Sequence, residues 1–175
     1  MKKLLIVVDY QQDFVSGALG FAQARELEES ICGKIKEYRK EGQDILFTFD
    51  THGEDYLSTQ EGRNLPVVHC VKGSEGWRLY GKVAAYQNQA IACLCKRTFG
   101  SVELADFLRE HPYDVVELAG VVSSICVISN AVIAKAALPE AEIRIDARCT
   151  AGGDPQLHEK ALDVMQGLQM NVINR

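Results

Sequence analysis

No stretch of this 175-residue chain is apolar for long enough to cross a bilayer: residues 4–8 give only five apolar positions, and serine and asparagine interrupt 119–134. Met1-Lys2-Lys3 ahead of residues 4–8 does not make a secretory leader, because that stretch is too short and Asp9 and Asp13 follow at once. No Lys/Arg cluster exceeds a pair and the formal net charge is −5, so neither a nucleic-acid nor a membrane partner is expected. A C-x-x-C pair is missing too, which removes the usual structural zinc site. The six cysteines (Cys32, Cys70, Cys93, Cys95, Cys126, Cys149) have no leader to send them to an oxidising compartment. A chain of this length buries roughly two-thirds of its unfolded surface without staples. The thiols therefore read as reduced and the protein as cytoplasmic. Repeats, low-complexity tracts and linkers are absent, so one domain over 1–175 is expected.

What is present is ordinary for a globular protein, 47% apolar and 25% charged. Six short apolar runs rich in β-branched residues stand out, at 3–9, 44–50, 66–71, 89–96, 114–120 and 142–149. Their apolarity is continuous rather than alternating, as in strands covered on both faces. Helix-period segments separate them at 22–40, 74–86, 101–110, 124–138 and 155–169. This alternation predicts an α/β three-layer sandwich: a central six-stranded, mostly parallel sheet, Rossmann-like, with helices on both faces.

Ligands of such sheets bind beyond the carboxyl ends of the strands. The residues there are Asp9, Asp50, His69, Lys96 and the segment from Gly120 to Cys126, all reactive or ligating types. Asp9 is either a turn-capping carboxylate or a partly desolvated proton acceptor. Lys96 follows a fully apolar run, so its ammonium would emerge at the ligand edge and favour ionised neighbours. Ser123 or Ser124 is placed to cap a helix whose first turn holds Cys126, where the helix dipole lowers a thiol pKa and backbone N–H groups can hold an oxyanion. The other five cysteines read as small buried hydrophobes.

Asp50-Thr51-His52, then Glu61 and His69, offer two histidines and two carboxylates from neighbouring strand ends and the loop between them. That donor set suits a divalent ion with open positions: zinc, manganese or iron. His111 and His158 read as solvated and uninvolved. Phe14 follows Asp9 and could wall a flat apolar pocket. Trp77 could be packing or a lid, and Phe99 core or wall.

Together these segments resemble the nicotinamidase/isochorismatase-like family of cysteine hydrolases, nearest to its metal-dependent nicotinamidase branch. The resemblance rests on Val8-Asp9-Tyr10-Gln11-Gln12-Asp13-Phe14, Asp50-Thr51-His52, Pro66-Val67-Val68-His69-Cys70-Val71-Lys72-Gly73-Ser74, Lys96 to Ser101, Gly120 to Cys126, and Asp146 to Gly152. It implies that Cys126 is the nucleophile, Asp9 the general base and acid, and Lys96 the cation organising both. It further implies a cis Val121–Val122 peptide and an oxyanion hole from the N–H groups of Val122 and Cys126. The substrate pocket is expected to be bordered by Phe14, Val121, Trp77 and Phe99. Asp50, His52 and His69 match the metal ligands of that branch. Where many members supply a further histidine this loop has none, and Glu61 stands where others use a glutamate. Leu65 and Pro66 occupy positions where some members carry Trp or Phe. The implied activity is hydrolysis of nicotinamide to nicotinate and ammonia through a thioester, as in NAD salvage, with a divalent ion, zinc first, positioning the substrate. Other expectations on the same fold are an amidase for another small carboxamide or N-carbamoyl compound, and a silent binding protein, which the presence of all three catalytic residues disfavours. A homodimer or larger homo-oligomer is implied.

Overall fold

The computed structural model describes residues 1–175. Strands β1 (Lys3–Val8), β2 (Asp44–Asp50), β3 (Ala92–Lys96), β4 (Val115–Val121), β5 (Glu142–Ala151) and β6 (Asn171–Ile173) form one sheet in the order β3-β2-β1-β4-β5-β6. Every pairing is parallel. Parallel neighbours need crossovers over a sheet face, and the helices supply them: α1 (Gln12–Val15), α2 (Ala22–Glu26), α3 (Glu28–Lys40), α4 (Gln60–Asn64), α5 (Val102–Glu110), α6 (Ile128–Ala137) and α7 (Pro155–Gly167).

The continuous apolar runs are explained by two cores, one on each face. Along β1, Leu5 and Val7 point into a cluster under α2 and α3 with Ile45, Phe47 and Phe49. Leu4, Ile6 and Val8 point the other way, with Leu46, into a cluster under α5, α6 and α7. The strand order reverses between β1 and β4, which makes the crevice beyond those two strands the ligand-binding switch point. The two ends approach closely there: Gly120 has φ +107, and a Cβ on it would sit 2.1 Å from the Val8 carbonyl oxygen. β3 is an edge strand, with Cys93 and Cys95 both exposed on one of its faces.

The run at 66–71 is not a strand. It makes a single bridge, Val71 to His52, and otherwise crosses the carboxyl edge as a loop. Pro66 has no N–H to give a ladder, and the Cys70 N–H is taken by the Asp13 side chain at 2.8 Å. The sixth strand is Asn171–Ile173, three residues long and too short to show as an apolar run. The segment 22–40 breaks into two helices at Leu27. Residues 74–86 form turns followed by a 3₁₀ segment, Gly81–Gln89, not an α-helix. The helix expected from 124 opens with a π turn, Ser123–Val127, and neither serine side chain caps it.

Beneath α3, Lys34 lies 2.9 Å from both Glu117 Oε1 and Asp146 Oδ2, on neighbouring strands. Tyr38 donates to Glu117 at 2.7 Å and Asn174 to Asp146 at 3.0 Å. Burial works against the Lys34 charge, but hydrogen bonds to Glu117 and Asp146 hold its pKa above the ordinary value. Burial likewise opposes the Asp146 charge, and Lys34 and Asn174 outweigh it and hold that pKa down. Lys34→Met leaves the buried Asp146 without its cation and Glu117 with only Arg144 at 3.7 Å, and is expected to lower stability by about 3 kcal/mol in urea denaturation. The depressed Asp146 pKa gives stability that is present above the unfolded value and lost on acidification. The raised Lys34 pKa gives stability that is present below its unfolded value and lost in strong alkali. The gap between wild type and variant is therefore expected to be widest near neutral pH and to shrink at both extremes.

Candidate active site

Asp9 leaves β1 with φ +47, a left-handed conformation that aspartate tolerates, and its carboxylate is fully buried. The Thr48 hydroxyl donates to Asp9 Oδ1 at 2.7 Å. Asp9 Oδ2 pairs with the Lys96 ammonium at 2.6 Å and makes no other oriented hydrogen bond. Lys96, at the end of β3, is 2% exposed and also reaches the Thr98 carbonyl at 3.0 Å, Asp50 Oδ1 at 3.4 Å and Cys126 Sγ at 3.6 Å. Cys126 lies in the π turn after β4, and Lys96 stands between its sulfur and the Asp9 carboxylate. The Val121–Val122 peptide just before that turn is cis.

Burial pushes the Cys126 thiol well above its ordinary pKa, with the Asp9 carboxylate adding to the effect and Lys96 opposing it. Burial also raises Asp9, against Lys96 and with Asp50. For Lys96 burial works against the charge, yet Asp9, Cys126 and Asp50 hold the ammonium firmly protonated. One cation thus faces two acids that cannot both ionise cheaply. The arrangement suits a single negative charge that can sit on Asp9 or on sulfur.

Beside this group lie Asp50, His52, Glu61 and His69, with one ligand atom from each within 4.8 Å of all the others. Asp50 Oδ2 is 2.9 Å from His52 Nε2 and 3.4 Å from His69 Nε2, and Glu61 Oε1 is 3.7 and 3.8 Å from the same two nitrogens. Donors ~2.1 Å from one ion must stand roughly 3.0–3.4 Å apart, so this cluster is close to coordination spacing. His69 Nδ1 bonds the Val67 carbonyl at 2.7 Å, which turns Nε2 toward the cluster, as a ligating imidazole requires. A divalent ion fits the donors present.

A cavity of about 340 Å³ opens onto both groups. Asp50, Glu61, His69 and Cys126 line its polar end, and Phe14, Leu19, Phe21, Leu65, Phe99 and Leu157 are among its apolar walls. Two residues expected at the pocket do not line it. Trp77 packs on Phe49, with ring centroids 5.1 Å apart, and donates to the Thr51 hydroxyl at 2.8 Å. Val121 is fully buried in the core and brings only its backbone to the site. His158 is not solvated, since its Nδ1 shares a hydrogen bond with the Ser123 hydroxyl at 3.0 Å.

Sequence reasoning left three supporting side chains without a role. Gln11 is fully buried; its amide accepts from the Asp50 N–H at 2.8 Å and donates to the Asp50 carbonyl at 2.9 Å and the Trp77 carbonyl at 2.8 Å. Asp13 fixes the backbone beside His69 through the Cys70 N–H. Asn130 joins the Cys126 carbonyl at 2.8 Å to the Phe99 carbonyl and the Ser101 N–H. A lone Asn in apolar α6, and Gln and Asp just past a strand end, were the available signals.

The Isochorismatase domain model matches residues 3–175. The chain is 34% identical over 143 residues to an uncharacterized isochorismatase family protein, PncA, of Bacillus subtilis (strain 168), covering 75% of this chain and 78% of that one. The crystal structure of nicotinamidase/pyrazinamidase PncA from Bacillus subtilis superposes with TM-score 0.89 at 30% identity, covering 98% of this chain and 99% of that one. The pyrazinamidase of Pyrococcus horikoshii, solved in complex with zinc, gives TM-score 0.86 at 25% identity over 100% of both chains.

Gln11→Ala would leave the buried N–H and C=O of Asp50 without their side-chain partner. The expected loss of stability is about 2–4 kcal/mol, read from the urea midpoint.

Proposed function

Because the chain belongs to the isochorismatase domain family, we propose that it is a cysteine amidohydrolase that converts nicotinamide to nicotinate and ammonia through a thioester at Cys126. The observation that carries this reading is the convergence of Asp9, Lys96 and Cys126 at the foot of an apolar cavity whose polar end also holds the Asp50, His52, Glu61 and His69 cluster.

The thiol is neutral at rest because burial disfavours the thiolate. Asp9 accepts its proton as sulfur attacks the carboxamide carbon, and Lys96, within 3.6 Å of Sγ and 2.6 Å of Asp9 Oδ2, keeps the moving negative charge beside a cation. The N–H groups of Val122 and Cys126 receive the developing oxyanion. Protonated Asp9 then gives its proton to the departing ammonia. Asp9 next deprotonates the water that attacks the thioester, and protonation of the departing sulfur restores the thiol. Thr48 holds the Asp9 carboxylate in one orientation throughout. Asp50, His52, Glu61 and His69 would hold the divalent ion, zinc by first preference and manganese or iron by the same donor chemistry. When bound, the ion supplies a Lewis-acid site for a ring nitrogen. Phe14 and Phe99 flank the ring. Leu65 in the wall, where some family members carry an aromatic, favours a second reading in which other small carboxamides are also turned over.

Ammonia release from nicotinamide by the purified protein tests the reading. Cys126→Ala is expected to cut kcat by roughly 10⁴-fold or more while leaving the melting temperature near that of the wild type; a variant that kept wild-type turnover would remove the covalent step. His52→Ala is expected to lower the metal bound per chain, measured by elemental analysis, and to raise KM. If neither changed, His52 would not be a ligand. A folded, metal-loaded wild type that released no ammonia would rule out this substrate.

A further inference from the structure

We infer that His158 is a positioning residue for the turn that carries Cys126, acting through Ser123. The inference rests on the reading of Cys126 as nucleophile. His158 lies one turn into α7, its N–H bonded to the Asp154 carbonyl at 3.0 Å, and its Nδ1 shares a 3.0 Å hydrogen bond with the Ser123 hydroxyl. Ser123 is fully buried and opens the π turn, but its side chain does not cap that turn, so the hydroxyl's hydrogen bond runs to α7 instead.

The β5–α7 connection runs close beside the turn: a Cβ built on Gly152 would lie 3.2 Å from Ser123 Oγ and 3.5 Å from Val122 Cγ1. The Val122 carbonyl accepts from both Ile125 at 3.0 Å and Val127 at 3.1 Å, which brackets Cys126. A roll of the Val122–Ser123 backbone would therefore carry the thiol and its neighbouring N–H groups with it. The same turn of α7 places Asp154 and Leu157 in the cavity wall. His158 thus ties the wall that meets substrate to the turn that performs the chemistry.

A positioning role separates from a packing role here. The imidazole is only half-buried and borders a separate, solvent-open cavity of about 420 Å³ with Arg148 and Thr150, so truncating it leaves no enclosed core void. Burial holds its pKa below the ordinary value, with Arg175 adding to the effect against Glu159, so a neutral ring bonds Ser123.

The test is steady-state kinetics on nicotinamide with the metal-loaded full chain. His158→Ala is expected to lower kcat about 10–100-fold, since misplacement of reacting groups by a fraction of an ångström to one ångström costs on that scale. KM should stay within about twofold, as for an interaction used mainly in the transition state. His158→Asn, whose amide can still reach the hydroxyl, should restore most of kcat. Ser123→Ala should reproduce the loss, and the double variant should be no worse than either single one. The inference is overturned if His158→Ala keeps wild-type kcat, or if the loss follows a fall in melting temperature and Asn does not restore it. A wild type without turnover overturns the proposed function instead, so the two failures are told apart.

Discussion

An ammonium ion taken out of water costs several kcal/mol unless charges of opposite sign come with it. Lys96, 2% exposed, meets that cost with Asp9 at 2.6 Å, Asp50 at 3.4 Å and a carbonyl at 3.0 Å. Those partners come from the ends of β1 and β2 and the loop after β3, and the thiol at 3.6 Å comes from the turn after β4. The order β3-β2-β1-β4 is what makes these ends neighbours, so topology and electrostatics impose the same arrangement. Asp50 belongs to both halves of the site: Oδ1 faces Lys96 and Oδ2 faces the two histidines. A change in charge on either side is felt on the other through one carboxylate, and this explains why Gln11 grips the Asp50 backbone from both directions.

The sheet was legible as continuous apolar runs: in β1, β2 and β4 this follows from burial on both faces, whereas edge strand β3 carries the same kind of run with Cys93 and Cys95 exposed. It misled at 66–71, where an apolar run forms a loop that crosses the carboxyl edge and turns His69 toward the site through the Val67 carbonyl. It was silent at β6, whose three residues are outward-facing or half-buried. The clustering of Asp9, Asp50 and Lys96 at one edge could be read from a general rule about strand ends, since they close or follow β1, β2 and β3. Their supports could not. Gln11, Asp13 and His158 bond backbone groups or hydroxyls far away in sequence, and Asn130 reaches both the Cys126 carbonyl four residues back and the distant Phe99 and Ser101 backbone; nothing in local periodicity marks such partners. Trp77 and Val121 show the converse: residues next to a motif can face the core.

Support for the site is unequal on the two sides of the sheet. The Cys126 turn is held from the α5–α7 side, by Asn130 and by His158. The carboxylates are held by their own strand ends and by Gln11. On the α3 side, the Lys34 network is a second set of buried charges at mid-sheet, away from the cavity, and its work is to join α3 to β4 and β5. Two ionic clusters thus sit in one small protein, one at the cavity and one at mid-sheet.

The position of β1 has a consequence for how the chain comes off the ribosome. β1 pairs with β2 on one side and with β4 on the other, through residues 3–8 against 115–120. During synthesis its second edge has no partner until more than half the chain has emerged, while Leu4 to Val8 are among the most apolar residues present. Non-local parallel pairing of this kind is intrinsically slow and leaves a sticky strand exposed meanwhile. The same central placement that lets β1 deliver Asp9 to the middle of the site leaves one edge of an apolar strand without its partner until β4 is made.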